Sequence, residues 1–216
     1  MELIYGTGNQ AKIQFMKRSL EGLPIEIIGL KEAAAKYSIS LPEVEENGST
    51  TLENASLKAH AYYECFKKPV FSCDSGLYLW NAKTGRMLPE EEQPGICVRG
   101  RREKRYTDDE LIEHYTGLVK KYGSVMARYQ NGICFVWDKE HIFESMEESL
   151  GGESFLLTDI PHKKRVEGFP LDSISVQISS GKYYYDLGED SQDDIAGESG
   201  FRQFFQKICE NNLFVR

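Results

Sequence analysis

Three short stretches carry the residues that could do chemistry. Thr7-Gly8-Asn9-Gln10-Ala11-Lys12 sets a glycine and a small amide ahead of a lysine, and Glu45-Glu46-Asn47-Gly48 is an acidic turn upstream of Lys58. Phe71-Ser72-Cys73-Asp74-Ser75-Gly76-Leu77 runs an apolar stretch into a lone acid. A glycine turn between a strand and a helix lets backbone N–H groups approach an anion, and Lys12, about one turn into such a helix, adds a full positive charge. Lys58 is a second cation. The turn lacks the P-loop sequence, so alone it is a weak phosphate signal, and a helical lysine is as a rule solvated. Glu45, Glu46 and Asp74 are hard oxygen donors, and magnesium is commonly held by one or two carboxylates plus substrate phosphates. A spare carboxylate beside such an ion takes the proton from a water. Taken singly, Glu45 and Glu46 also read as an ordinary exposed turn. Asp74 does not, because an acid placed directly after an apolar strand is costly to bury without a partner or a task.

Positioning these side chains takes strands that end beside helices. Leu3-Ile4-Tyr5 reads as a buried strand, and Ala11 to Leu20, with Ile13, Phe15, Met16 and Leu20 apolar, as the helix after its turn. Ile25 to Gly29 is a second strand. Thr50 or Thr51 caps a helix over Leu52 to Phe66 that carries Lys58 and stops before Pro69. Val70-Phe71 opens a central strand that ends at Asp74 and a Ser-Gly turn. Leu77 to Trp80 resumes the apolar run, Asn81 to Pro94 is a loop, and Thr107-Asp108-Asp109-Glu110 starts a helix reaching Lys121. Val125 to Trp137 and His141 to Met146 form an antiparallel pair. Phe155 to Leu157, Ser173 to Ile178 and Tyr183 to Tyr185 are further strands, and Phe201 to Leu213 is a closing helix. Helices interleave with strands early and strands cluster late, which indicates a mixed α/β architecture.

At 216 residues the chain can bury a sizeable core in one domain or in two intimate lobes. Its composition, 40% hydrophobic and 28% charged, is that of a soluble globular protein. No apolar run nears the roughly 18 residues of a membrane span. The opening Met1-Glu2-Leu3-Ile4-Tyr5 has neither a basic leader nor an apolar signal core, which points to the cytoplasm. A net charge of −8 opposes a duplex-binding face, so neither nucleic acid nor membrane is an expected partner, while a small phosphorylated ligand stays open. Against that background the basic cluster Arg99, Arg101, Arg102, Lys104 and Arg105 reads as a solvated loop or as an anion site. The five cysteines are widely spaced with no C-x-x-C pair, which indicates reduced, mostly buried thiols.

Thr7-Gly8-Asn9-x-x-Lys12, Glu46 ahead of Leu52-Glu53-Asn54-Ala55-Ser56-Leu57-Lys58-Ala59, Asp74-Ser75-Gly76-Leu77 and Pro94-Gly95 resemble, in order and spacing, the motifs of the inosine triphosphate pyrophosphatase family. More loosely, Gly168-Phe169 and Asp172 resemble that family's base-covering segment. The resemblance implies hydrolysis of deaminated purine nucleoside triphosphates such as ITP, dITP or XTP to the monophosphate and pyrophosphate, with Mg2+ and water attack on the α-phosphorus. It implies that Thr7, Gly8, Asn9, Lys12 and Lys58 contact the triphosphate, with Ser75 helping through its turn. Lys12, Lys58 and Asp74 would carry the catalysis, and Glu46 and Asp74 would hold the magnesium. Gly168 and Phe169 would cover and stack on the base, with Asp172 against it. The implied fold is an elongated mixed sheet flanked by helices, one domain of two lobes with the nucleotide in a central cleft, commonly as a homodimer.

Two departures qualify this. The family usually sets two adjacent acids before Ser-Gly-Leu, whereas here Cys73 precedes Asp74, and a thiol is a poor magnesium ligand. Near the C-terminus the family's lysine and Ser-His-Arg-Gly read the edge of the deaminated base. The corresponding segment here, Gln192 to Gly200, has neither His nor Arg, and Glu198 accepts hydrogen bonds where an arginine donates. The expectation is a base preference relaxed or moved toward a purine edge that donates. A nucleotide-binding protein that has lost hydrolysis is the competing reading, and a pyrophosphatase for another nucleotide is a third.

Overall fold

A computed structural model describes residues 1–100, 104–188 and 197–210. Arg101 and Arg102 of the basic cluster, Gln192 to Ala196 of the C-terminal segment and the expected helix end at Leu213 lie outside the described residues. The architecture is a mixed sheet flanked by helices. In chain order come β1 (Glu2–Tyr5), α1 (Gln10–Ser19), β2 (Glu26–Gly29), α2 (Leu30–Tyr37), α3 (Thr51–Phe66), β3 (Val70–Asn81) and α4 (Asp108–Tyr122). Then follow β4 (Val125–Val136), β5 (Ile142–Ser145), β6 (Phe155–Leu157), β7 (Ser175–Gln177) and α5 (Glu198–Glu210). The strand order is β2-β1-β3-β4-β6-β7, with β5 paired to β4. Pairing is parallel between β1 and β2 and between β1 and β3, and antiparallel at β4–β5, β4–β6 and β6–β7.

The chain divides into two compact units. The first takes Met1–Ser75, Asn131–Leu150 and the described residues from Glu198 onward. Its core is aromatic and aliphatic: Leu3 and Tyr5 of β1, Ile13 and Met16 of α1, Phe71 of β3, Phe135 of β4 and Phe205 of α5 are all buried. The register sets Tyr5 beside Phe71, whose rings stack at 4.4 Å, and Phe205 meets Phe71 edge-on at 5.1 Å. The second unit takes the described residues of Gly76–Gln130 and Gly151–Gly197. There α4 lays Leu111, Tyr115, Leu118 and Val119 into a core shared with Leu77, Leu79, Phe155, Leu157 and Ile174.

Local signals account for most boundaries. Thr107 accepts from the Glu110 N–H while the Glu110 carboxylate accepts from the Thr107 N–H, a complete capping box, and Gly123 at φ 79° closes α4. Asn9 caps α1 and Thr50 caps α3. Helix α2, an alanine-rich run closed by Ser38 at φ 54°, was not expected from apolar periodicity; its intrinsic helix propensity is the signal that would have marked it.

Three expectations are corrected. No turn breaks the chain at Ser75-Gly76: β3 runs unbroken for 12 residues. Hydrogen-bond partners continue past Asp74, because the Leu77 N–H donates to the Gly95 carbonyl at 2.9 Å and the Leu88 N–H to the Leu79 carbonyl at 3.0 Å. The returning segment that reads as plain loop therefore serves as a partial strand partner. Tyr183 to Tyr185 is not a strand. Gly181, at φ 67°, turns the chain back so tightly that only Tyr183 bridges Val176, and Tyr184–Asp186 closes into a 3-10 turn. Of the five thiols only Cys73 and Cys134 are buried, and Cys97 is exposed.

Gly132 of β4 lies against the start of α3, where an added methyl would stand 2.5 Å from the Leu52 nitrogen and 2.6 Å from the Thr51 carbonyl carbon. Both neighbours are backbone, so relief requires moving the helix that carries Lys58. Gly132→Ala is expected to destabilise the fold by about 2 kcal/mol, read as a lowered urea midpoint. An unchanged midpoint would mean that α3 can retreat without loss. Among the described residues no helix is long and apolar enough to cross a membrane.

Candidate active site

The site is built from the first unit. Helix α3 and strand β3 converge so that the Lys58 ammonium donates to Asp74 Oδ1 at 2.9 Å and to Glu46 Oε2 at 3.0 Å. Lys58 and Asp74 are 13% and 14% exposed at the side chain and Glu46 is 39% exposed, so the Asp74 contact is the one sheltered from solvent. Burial alone would lower the Lys58 pKa, but the charges of Asp74 and Glu46 outweigh it and leave the ammonium raised above its ordinary value. Lys58 therefore stays charged at neutral pH and holds the two carboxylates together.

Asn54, one turn before Lys58 on α3, fixes the other side of Asp74. Its amide nitrogen donates to Asp74 Oδ2 at 3.3 Å, and its carbonyl oxygen accepts the Gly48 N–H at 2.9 Å. That second bond ties down the acidic turn carrying Glu46. The sequence shows Asn54 only as one residue of the helical motif that carries Lys58. Its spacing from Lys58, which puts both on one helix face, was the available signal.

At the start of α1 the backbone N–H groups of the turn have side-chain partners. Asn9 Oδ1 accepts the N–H groups of Ala11 at 2.9 Å and Lys12 at 3.3 Å, and Thr7 Oγ1 accepts the Asn9 N–H at 3.2 Å. The first turn is thus satisfied largely by its own side chains. Gly8 has open space where a side chain would stand. Lys12 is half-buried, and its pKa is lowered by burial and then by the Lys58 charge, against the pull of Asp74, Cys73 and Glu46. Those named influences place its ammonium in the same electrostatic neighbourhood as the Lys58 pair.

Cys73 precedes Asp74 on β3 and is 7% exposed. Burial pushes its thiol up to about 12, although the Tyr5 hydroxyl, Lys12 and Lys58 all favour the thiolate. At neutral pH it is a neutral, inert side chain. Ser75, next along β3, is half-buried. Two carboxylates on one ammonium form an oxygen donor set, and among the described residues no cluster of three or more His, Cys, Asp or Glu gathers anywhere. A hard cation here would take two protein oxygens and fill its remaining positions from water and substrate phosphates, an arrangement that suits magnesium.

Gly168, Phe169 and Asp172 belong to the second unit, the first two leading into a 3-10 helix over Pro170–Ile174 that contains Asp172. Burial pushes the Asp172 carboxyl up to about 7, and its charge acts on Tyr129, Tyr184 and Tyr185. Glu198 opens α5 in the first unit, 4.0 Å from the Arg18 guanidinium.

The model of the Ham1 family matches residues 3–174. A dITP/XTP pyrophosphatase of Aquifex aeolicus is 36% identical over 197 residues, covering 91% of this chain and 90% of that protein. A second, from Prochlorococcus marinus, is 26% identical over 89% of this chain and 86% of its own length. Among solved structures, a HAM1 protein from Coxiella burnetii superimposes with a TM-score of 0.69 at 20% identity, over 98% of this chain and 99% of that one. The Staphylococcus aureus Ham1 protein gives 0.66 at 24% identity, over 98% of this chain and all of that one, 100%. At those identities the structures speak for the fold. With the family match and the Aquifex relative, they bear out the resemblance read from the motifs: the chain belongs to the Ham1 family.

Proposed function

We propose that this chain is a nucleoside-triphosphate pyrophosphatase acting on deaminated purine nucleotides such as ITP, dITP or XTP. The observation that carries the reading is the Lys58 ammonium set between Glu46 and Asp74, with Lys12 in the same electrostatic neighbourhood. The names of the relatives support it. The triphosphate is received by Lys12, Lys58 and the Thr7-Gly8-Asn9 turn, with Ser75 beside them. Asp74, held by Lys58 and Asn54, orients a water and takes its proton. The water oxygen bonds to the α-phosphorus, the bond from that phosphorus to the α,β-bridging oxygen breaks, and pyrophosphate leaves as the two lysines offset its charge. Glu46 and Asp74 would hold Mg2+ when it is bound, and the ion would supply further neutralisation of the charge that develops. Most of the rate enhancement then comes from positioning and charge stabilisation. Phe169, with Gly168 before it, provides the stacking face for the base, and Asp172 reads it. Glu198 shifts the base preference away from that of its relatives. The protein works in the cytoplasm as a homodimer.

The test is pyrophosphate release with Mg2+ from ITP, dITP, XTP, GTP, dGTP and a pyrimidine triphosphate. Release is expected from the deaminated purines, with GTP or dGTP discriminated against less strongly than an arginine-bearing edge would allow. Strong, exclusive preference for XTP would sink the Glu198 part of the reading. Binding without release from any of them would replace the enzyme with a nucleotide-binding protein that has lost hydrolysis, and the buried neutral Cys73 is the feature that favours that alternative.

A further inference from the structure

Within the second unit, Arg99 of the basic cluster makes a closed set of contacts that the proposed chemistry does not use. Its guanidinium donates to Asp108 Oδ1 at 2.7 Å and to the Gly168 carbonyl at 3.4 Å, while the Gly168 N–H donates to Asp108 Oδ2 at 3.3 Å. The two peptide groups flanking Gly168 are thus gripped at once, one by the cation and one by the anion. Gly168 sits at φ 87°, in the region where a glycine is free to wander unless something outside it sets its torsions. Both clamp residues are anchored. Asp108 is the first residue of α4, directly behind the capping box, and the Arg99 carbonyl accepts the Tyr106 N–H at 2.8 Å. On the far side the Tyr185 hydroxyl donates to the Phe169 carbonyl at 3.5 Å. At 37% and 36% exposure the ion pair adds little to global stability, so its consequence is local geometry.

We propose that Arg99 and Asp108 are positioning residues that fix the Gly168 backbone, and with it the ring of Phe169 on which the purine stacks. The proposal rests on the functional reading above. Neither residue need touch the nucleotide; they hold the residue that does. A loosened turn leaves the phosphate grip intact and lets the stacking face wander, so the loss falls on recognition of the base.

The experiment compares wild type with Arg99→Ala, Arg99→Lys and the near-isosteric Asp108→Asn, using ITP as substrate and inorganic tripolyphosphate, which has no base, as competitive inhibitor. Arg99→Ala is expected to raise KM for ITP about tenfold, the scale of one base–aromatic stack, with kcat changed by less than about threefold. The inhibition constant for tripolyphosphate stays the same. Arg99→Lys keeps the contact to Asp108 but loses the second donor, and falls between. The double exchange R99D/D108R does not restore KM, because it sets an acid against a carbonyl. An unchanged KM in Arg99→Ala and Asp108→Asn, or a KM that rises in step with the tripolyphosphate constant, would overturn the proposal. Should wild type hydrolyse no triphosphate, the functional reading fails and the clamp is judged by amide hydrogen exchange. Faster exchange at Gly168 in Arg99→Ala supports the clamp, and unchanged exchange refutes it.

Discussion

Asp74→Asn is expected to lower pyrophosphate release from the best substrate by about three orders of magnitude, within the range that removal of a general base produces. The loss is chemical more than structural. The asparagine carbonyl can still accept from Lys58 or Asn54, and Lys58 keeps Glu46 at 3.0 Å, so the convergence of α3 and β3 survives. An amide, however, takes no proton from water and binds a hard cation more weakly than a carboxylate. The comparison is initial rates of pyrophosphate release for the two proteins at matched Mg2+, with circular dichroism to establish that both are folded. A variant retaining more than about a tenth of the wild-type rate would remove Asp74 from the chemistry and direct attention to Glu46.

Cys73→Asp should have the larger effect on stability. The position is 7% exposed, and its surroundings push even a thiol up to about 12, so they disfavour an anion despite the two lysines. A carboxyl there has a folded pKa above its unfolded value. The penalty is therefore complete above the raised folded pKa, shrinks as pH falls from there toward the unfolded value of about 4, and is absent below it. At pH 7 without metal, about 3 kcal/mol of unfolding free energy should be lost, measured by urea titration. Added Mg2+ should return part of it, because the new carboxyl would be a third oxygen donor beside Glu46 and Asp74. A metal-free variant as stable as wild type would show that Lys12 compensates the charge fully. Cys73→Ser, which adds no charge, serves as the control for packing.

Three of the four charged residues of the candidate site were legible because each sits in a short motif whose local context is itself readable: a capped helix start for Lys12, a helix face for Lys58, an apolar strand for Asp74. What escaped reading depends on partners far away in the chain. The continuity of β3 past Ser75-Gly76 comes from the segment around Leu88 and Gly95, which supplies ladder partners where sequence offers only a small polar pair and a glycine. Asn54 gains its role from Gly48 and Asp74 together, and no periodicity marks a residue that bridges a turn to a strand. The contact of Asp108 with Gly168 spans 60 positions. In the sequence Asp108 looks like an ordinary acid in a helix's first turn, and it is that as well. Tyr183 to Tyr185 failed for the opposite reason: three aromatics suggest a strand, and the glycine two positions earlier overrides them.

The pairing of Lys58 with both carboxylates also bears on how fast a nucleotide arrives. Two ammonium groups set against two carboxylates cancel, so seen from beyond a Debye length the empty site offers an incoming polyanion almost no attraction. The chain as a whole carries −8 and repels it. Attraction begins only at contact distance, where Lys58 can exchange a carboxylate for a phosphate oxygen. Encounter is then set by diffusion against a weak repulsive field, and salt, which slows electrostatically steered association in many phosphate-binding proteins, would hasten it here.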